Sequence, residues 1–175
     1  MELFKVTEAQ FGWIFAFIAA GLIGASQANN IALKKFSSEQ IIRVASCCQA
    51  IIGLAFICLT LAGFNNLLLT VFLIFAFLSC QGFIFPNATA LALAPLGHNA
   101  GNASALIGAI QLSIGACASA IISVLQNHTA LPMAIVMTCC AVTAFSVFSL
   151  GRKFIIQPLA RNAVELENIE AISAL

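Results

Sequence analysis

Residues 67–94 read LLLTVFLIFAFLSCQGFIFPNATALALA and contain no Asp, Glu, Lys or Arg. The charge-free stretch extends on both sides, from Val44 to Gly151. Over the whole chain, 62% of the residues are hydrophobic and 7% are charged, whereas soluble domains usually contain about 25% charged residues. So few charges cannot cover a water-facing surface, and the high hydrophobicity excludes a disordered protein. The composition therefore predicts a protein dissolved in a bilayer.

Clusters of Gly, Pro and Asn divide the charge-free stretch into segments of transmembrane length, which is about 20 apolar residues. We predict an all-α polytopic membrane helix bundle, in which a transmembrane domain over residues 1–153 precedes a cytoplasmic tail over residues 154–175. The five predicted spans are residues 11–28, 44–62, 67–94, 102–125 and 131–150. The third is longer than a bilayer requires, and Pro86 inside it predicts a kink.

The basic residues predict the orientation, because Lys and Arg accumulate in short cytoplasmic loops. One cluster lies between the first two spans and the other follows the fifth; their members are Lys34, Lys35 and Arg43, and Arg152, Lys153 and Arg161. Five spans place both clusters on one side of the membrane. We therefore expect a multi-pass membrane protein, with its N-terminus outside and its C-terminus cytoplasmic.

Several other functions lack the residues that they need. The net charge is +1 without a basic stripe, so we expect the lipid bilayer and no nucleic acid as a partner. All seven Cys fall inside predicted spans, where they act as small hydrophobes, and we predict no metal and no cofactor. His98 and His128 lie in loops between spans, where a His side chain is usually just solvated and has no direct role. No nucleotide-binding motif and no nucleophile–base set is present, so we do not expect an enzyme.

Small and polar residues inside the spans are the candidate functional residues, because polar groups in lipid face protein or a water-filled cavity. In the fourth span they recur at steps of three and four: Gly101, Ser104, Gly108, Gln111, Gly115 and Ser119. Close helix packing explains such a stripe, and we favour it over the alternative that Gln111 faces a substrate path. The first span has a similar stripe of Ala16, Ala20, Gly24 and Gln27.

In the third span, Gly82 and Pro86 share one face, and Gln81 and Asn87 flank it. Pro86 cannot donate to the carbonyl of Gly82, so the amides nearby could open a polar pocket; a plain kink is the alternative. The substrate-path candidates are thus Gln81, Asn87 and Gln111. The helix-packing candidates are Gly24, Gly82, Pro86, Gly101, Ser104, Gly108 and Gly115.

Three runs carry a resemblance to a known family: FGWIFA at 11–16, GLIGASQANNIALKKFSSEQI at 21–41, and PNATALALAPLGHNAGNASALIGAIQLSIGA at 86–116. The first two resemble the eighth helix and following loop of Bcr/CflA-type drug-resistance transporters of the major facilitator superfamily, and the third resembles that family's tenth helix, cytoplasmic turn and eleventh helix. On this resemblance the five spans correspond to helices eight to twelve. The resemblance implies a location in the bacterial inner membrane, twelve helices in two halves, and proton-coupled export of small drugs such as bicyclomycin, chloramphenicol or sulfonamides. The positions that match this family's run, which we expect to be structural, are Asn87, His98, Gly101, Ser104 and Gly108.

The quoted runs do not match the family's N-terminal half. No charged residue lies in the membrane interior of this chain's five predicted spans. A proton-driven transporter normally keeps a buried ionisable group. We therefore expect a fragment of an exporter with a partial major facilitator fold, inactive alone. It would meet drug and protons only when assembled with an N-terminal half. The alternatives are one half of a split transporter, and a small membrane adaptor or assembly subunit.

Overall fold

The computed structural model describes residues 7–64, 66–125 and 129–151, without the side chains of residues 97 and 98. Five helices follow one another: α1 Glu8–Ala32, α2 Ser38–Leu61, α3 Leu67–Leu93, α4 Ala100–Val124 and α5 Leu131–Gly151. All five are long and apolar enough to cross a membrane, and the described ranges contain no strand. The predicted all-α bundle of five spans is confirmed, whereas the predicted tail lies outside the described residues.

The largest difference from the predicted boundaries is the start of α2, which begins at Ser38 and not at residue 44. The Ser37 hydroxyl accepts from the Gln40 backbone N–H at 3.3 Å, and the Gln40 side chain accepts from the Ser37 N–H at 3.1 Å. This capping box satisfies two free backbone donors, so the helix starts before the apolar run does. Thr7 and Gln10 cap α1 in the same way, and α1 extends to Ala32 instead of residue 28. Helix α1 begins at Glu8, three residues before the predicted start, and the other boundaries differ by at most two residues.

The short turn between α2 and α3 depends on Gly63, whose φ is 82°. Its N–H donates to the Thr60 carbonyl, and the next N–H, of Phe64, donates to the Leu59 carbonyl. These two bonds form a Schellman motif, which requires a left-handed residue that glycine adopts without steric cost. The Asn66 side chain then accepts from the Leu68 N–H and caps α3. The motif therefore ends α2 and returns the chain into the membrane as α3.

Helix α3 is the central element, since α1 and α2 both pack against it. Helix α1 runs parallel to α3, and the Phe17 and Phe75 rings stack with their centroids 4.5 Å apart. Gly21 lies against the Phe75 ring so closely that a methyl group there would overlap the ring. Helix α3 continues through Pro86, and the predicted kink stays a prediction.

Helix α5 packs against α2 and α3 through a small apolar core that includes Phe56, Ala130 and Ala134. Gly53 on α2 allows the close approach, because a methyl group there would come within 2.7 Å of the Thr138 hydroxyl.

Helix α4 is less closely packed than the other four helices. A 3-10 helix, Ala94–Asn99, joins it to α3, its own contact with α3 is slight, and it contains no buried residue. Four helices thus form a packed unit, and α4 lies beside it.

Candidate functional site

The first polar feature is an amide pair buried between α1 and α3. The Asn87 Nδ2 donates to Asn29 Oδ1 at 2.6 Å and also to the Phe83 carbonyl at 2.8 Å. Both Asn29 and Asn87 are only 2% exposed. An amide in hydrocarbon needs such partners, because an unsatisfied polar group there is costly. Within this chain Asn87 therefore joins two helices and is not accessible to a ligand.

A second amide pair joins α2 to the same helix. Gln49 is buried, and its Nε2 donates to Gln81 Oε1 at 3.1 Å and to the Phe77 carbonyl at 3.4 Å. The Asn29–Asn87 pair joins α3 to α1, and the Gln49–Gln81 pair joins α3 to α2. Each pair therefore fixes the axial position of one neighbouring helix relative to α3.

Gln81 also lines a cavity of about 230 Å³ between α3 and α4, and Gln111 lines it from α4. The remaining lining residues are Ile84, Phe85, Ala88, Thr89, Ala92 and Ile107. The structure thus brings two of the three substrate-path candidates to one cavity, and Asn87 is not among its lining residues. The described lining combines amide and hydroxyl groups with apolar and aromatic walls and contains no charged side chain. Such a lining suits an uncharged small molecule that forms a few hydrogen bonds.

Gly82 lies where α3 meets the backbone of α1. A methyl group on Gly82 would come within 2.6 Å of the Leu22 carbonyl oxygen and 2.9 Å of the Ala25 Cβ. Only glycine permits this close approach of two helices. Pro86, one turn later, cannot donate to the Gly82 carbonyl. The α1–α3 contact therefore runs from Phe75 past Gly82 to Asn87.

The other helix-packing candidates have no close neighbour in the described part of the chain. A methyl group on any of these glycines would have nothing within 4 Å: Gly24, Gly101, Gly108 and Gly115. Ser104 is exposed on the same helix as the last three. Their role in packing stays a prediction, and it requires helices beyond the four that pack together here.

Sequence reasoning missed Gln49, Gly21 and Gly53. A lone amide in the middle of the second span was the available signal for Gln49, since such a residue needs a partner in lipid. The two glycines gave no signal, because a single glycine does not show which residue lies opposite. Among the described residues, no group of three or more His, Cys, Asp and Glu side chains could hold a metal ion.

Comparison with known proteins gives one relevant relative. No protein-family model matches the chain, and no solved structure gives a significant match. Over 140 residues the chain is 29% identical to the protein called "Bicyclomycin resistance protein homolog" of Haemophilus influenzae. The chain is similar to this bicyclomycin resistance protein homolog.

The match to the bicyclomycin resistance protein homolog covers 80% of this chain but 35% of the relative, so the chain spans about a third of the relative's length. This similarity confirms the resemblance to Bcr/CflA transporters predicted from the sequence. Five apolar helices and this relative together indicate a multi-pass membrane protein related to transporters.

Proposed function

We propose that the chain supplies five helices of a proton-coupled exporter of small drugs in the bacterial inner membrane and is inactive until further helices join it. The similarity to the bicyclomycin resistance protein homolog supports the transport class. The chain would be a fragment of such a protein or one half of a split transporter. In both versions the N-terminus lies outside and the C-terminus in the cytoplasm, as the positions of Lys and Arg favour.

The exposed face of α4 is the observation that supports the joining of further helices. The helix has no buried residue, and its stripe of Gly101, Gly108 and Gly115 lies open. Small-residue stripes in lipid promote close helix contact. Helices of an N-terminal half would cover this stripe and close the cavity between α3 and α4 on its open side.

The cavity suggests the kind of drug. Its amides, Gln81 and Gln111, lie among apolar and aromatic side chains, so the drug would be a small uncharged molecule with polar groups. No Asp, Glu, Lys or Arg occurs between residues 44 and 151. The proton-carrying acid would therefore belong to the joined helices, because a proton relay through the membrane needs an ionisable group.

A recombination experiment tests the proposal. The matched region of the Haemophilus influenzae protein is deleted, and the rest of that protein is produced with this chain, either fused to it or as a separate polypeptide. The host lacks its own drug exporters. We expect bicyclomycin tolerance to rise only when both pieces are present, and a protonophore to abolish radiolabelled drug efflux. Tolerance conferred by this chain alone would contradict the proposal. So would the absence of any rise in tolerance with both the fused and the separately produced pieces.

In that reconstituted exporter, Gln111→Leu is expected to weaken drug binding by up to about tenfold. The change removes one hydrogen bond worth about 1–1.5 kcal/mol and keeps the size of the side chain. Gln27→Leu is the matched control, because Gln27 is an exposed glutamine on α1 outside the cavity. The measurement is drug tolerance at equal membrane levels of the two variants. An equal loss in both variants would exclude Gln111 from the drug site.

A further inference from the structure

A second concave surface lies where α1 ends and α2 begins. Helices α1 and α2 pack mainly against α3 and not against each other, and a groove of about 350 Å³ lies between them. Cys80 and Phe83 of α3 line it together with Ala32, at the end of α1. This volume is more than twice that of the cavity of about 150 Å³ that admits a benzene ring. The groove therefore has room for a segment of hydrocarbon chain.

The lining of this groove is almost entirely apolar. Phe36 and Val44 border it and are 56% and 62% exposed. The side-chain oxygen of Gln40, the one amide among the lining residues, accepts the Ser37 N–H in the α2 cap. A hydrocarbon chain would find few competing polar groups here.

Positive charge is concentrated at the same end of the helices. Every Lys and Arg of the described residues lies between positions 34 and 43: Lys34, Lys35 and Arg43. Glu39 is the single acid of that segment, so its formal charge is +2, three positive against one negative. Glu8, the other acid of the described part, lies at the opposite end of α1. Lys35 directly precedes Phe36 and Arg43 directly precedes Val44, so the backbone of each of these basic residues adjoins a residue that lines the groove.

The depth of these residues matches the lipid headgroup layer. Helix α2 has 24 residues and spans roughly 36 Å at about 1.5 Å per residue, which exceeds the roughly 30 Å hydrocarbon core. Arg43 is five residues after Ser38, within the first turns of α2. Its long side chain can extend toward the interface while its stem stays in lipid.

We infer that this groove binds one acidic diacyl phospholipid, with an acyl chain against Phe36, Val44 and Phe83 and the phosphate beside Lys34, Lys35 and Arg43. Basic residues next to a cleft between transmembrane helices favour anionic headgroups. A neutral lipid would fill the same groove without using these charges, which is the alternative that the experiment separates. The inference is independent of the proposed transport function, because the experiment measures lipid retention and no transport.

Native mass spectrometry of the purified full chain tests this site. The chain is incubated in detergent with equal amounts of phosphatidylglycerol and phosphatidylcholine that carry identical acyl chains. Each basic residue near an acidic headgroup adds about fivefold in affinity. For a segment with a charge of +2 we expect about tenfold or greater preference for phosphatidylglycerol, and about twofold or less in the variant K34Q/K35Q/R43Q.

Two controls separate the headgroup site from the groove. The variant R152Q/K153Q/R161Q removes the same amount of charge elsewhere in the sequence and should keep the preference. Cys48→Phe places a ring in the groove and should lower retention of both lipids, whereas Cys47→Phe should not, because Cys47 is exposed outside the groove. Equal retention of the two lipids, loss of preference in R152Q/K153Q/R161Q, or equal effects of the two Cys variants would each overturn the inference.

Discussion

Replacing Gly82 with alanine is expected to destabilise the bundle by about 1–3 kcal/mol, the usual cost of forcing a methyl group into a packed interface. The added carbon would come within 2.6 Å of the Leu22 carbonyl oxygen, which is backbone and cannot rotate away. Helix α1 would have to move outward, and the Asn29–Asn87 hydrogen bond beyond Gly82 would lengthen. The loss is measured by unfolding the purified chain with sodium dodecyl sulfate in mixed micelles, followed by circular dichroism at 222 nm.

Gly24→Ala is the matched control for Gly82→Ala. A methyl group on Gly24 would have nothing within 4 Å, so the change affects only helix propensity, in which alanine exceeds glycine by up to about 1 kcal/mol. The two substitutions should therefore have opposite signs. If both variants unfold at the same detergent fraction, the close α1–α3 contact does not exist in the folded chain.

The second large effect is expected at the buried amide pair. Asn87→Leu has nearly the same size but leaves Asn29, which is 2% exposed, without the partner at 2.6 Å. An unsatisfied buried polar group costs about 1–3 kcal/mol. Interhelical hydrogen bonds in membranes average about 0.6 kcal/mol and reach about 1.7 kcal/mol. We therefore expect a loss of about 1–2 kcal/mol for Asn87→Leu in the same unfolding measurement.

A double-mutant cycle gives the energy of the amide pair itself. The variant N29L/N87L removes both polar groups, so its loss should be smaller than the sum of the two single losses, with a coupling energy of about 1 kcal/mol. Additive losses would show that the two amides do not interact. Gln49→Leu serves as a distant control, because its partner is Gln81 and it should add independently to Asn87→Leu.

The number of helices followed from the sequence because charges are excluded from hydrocarbon, and because clusters of Gly, Pro and Asn divide the charge-free residues 44–151 into segments of transmembrane length. Both ends of α1 and the start of α2 did not follow. The helical hydrogen bonds of α2 continue through Glu39 and Arg43 at the polar boundary, where hydropathy gives no signal. Capping residues, in this case Ser37 and Gln40, are the better guide to such an end.

The position of a candidate residue was predictable only from the periodicity of a single helix, and the functional roles of these residues stay predictions. Counting along α4 placed Gln111 in the middle of a small-residue stripe, and it does line a cavity. Nothing within the third span indicates that Asn87 faces Asn29 and that Gln81 faces Gln49. These pairings depend on how α1 and α2 pack on α3. The longest glycine stripe, on α4, faces open space, whereas single glycines such as Gly53 make the close contacts.

The pairing of α1 with α3 also imposes a delay during synthesis. Asn29 and Asn87 are separated by 58 positions in the chain, and ribosomes add about 5–20 residues per second, so roughly 3 to 12 s pass between the two residues. During that interval Asn29 has no α3 amide to accept from. The Asn29 side chain of α1 therefore needs another polar partner, in the insertion machinery or on a transient neighbour, until α3 is synthesised. The two helices can then pair and enter the lipid together.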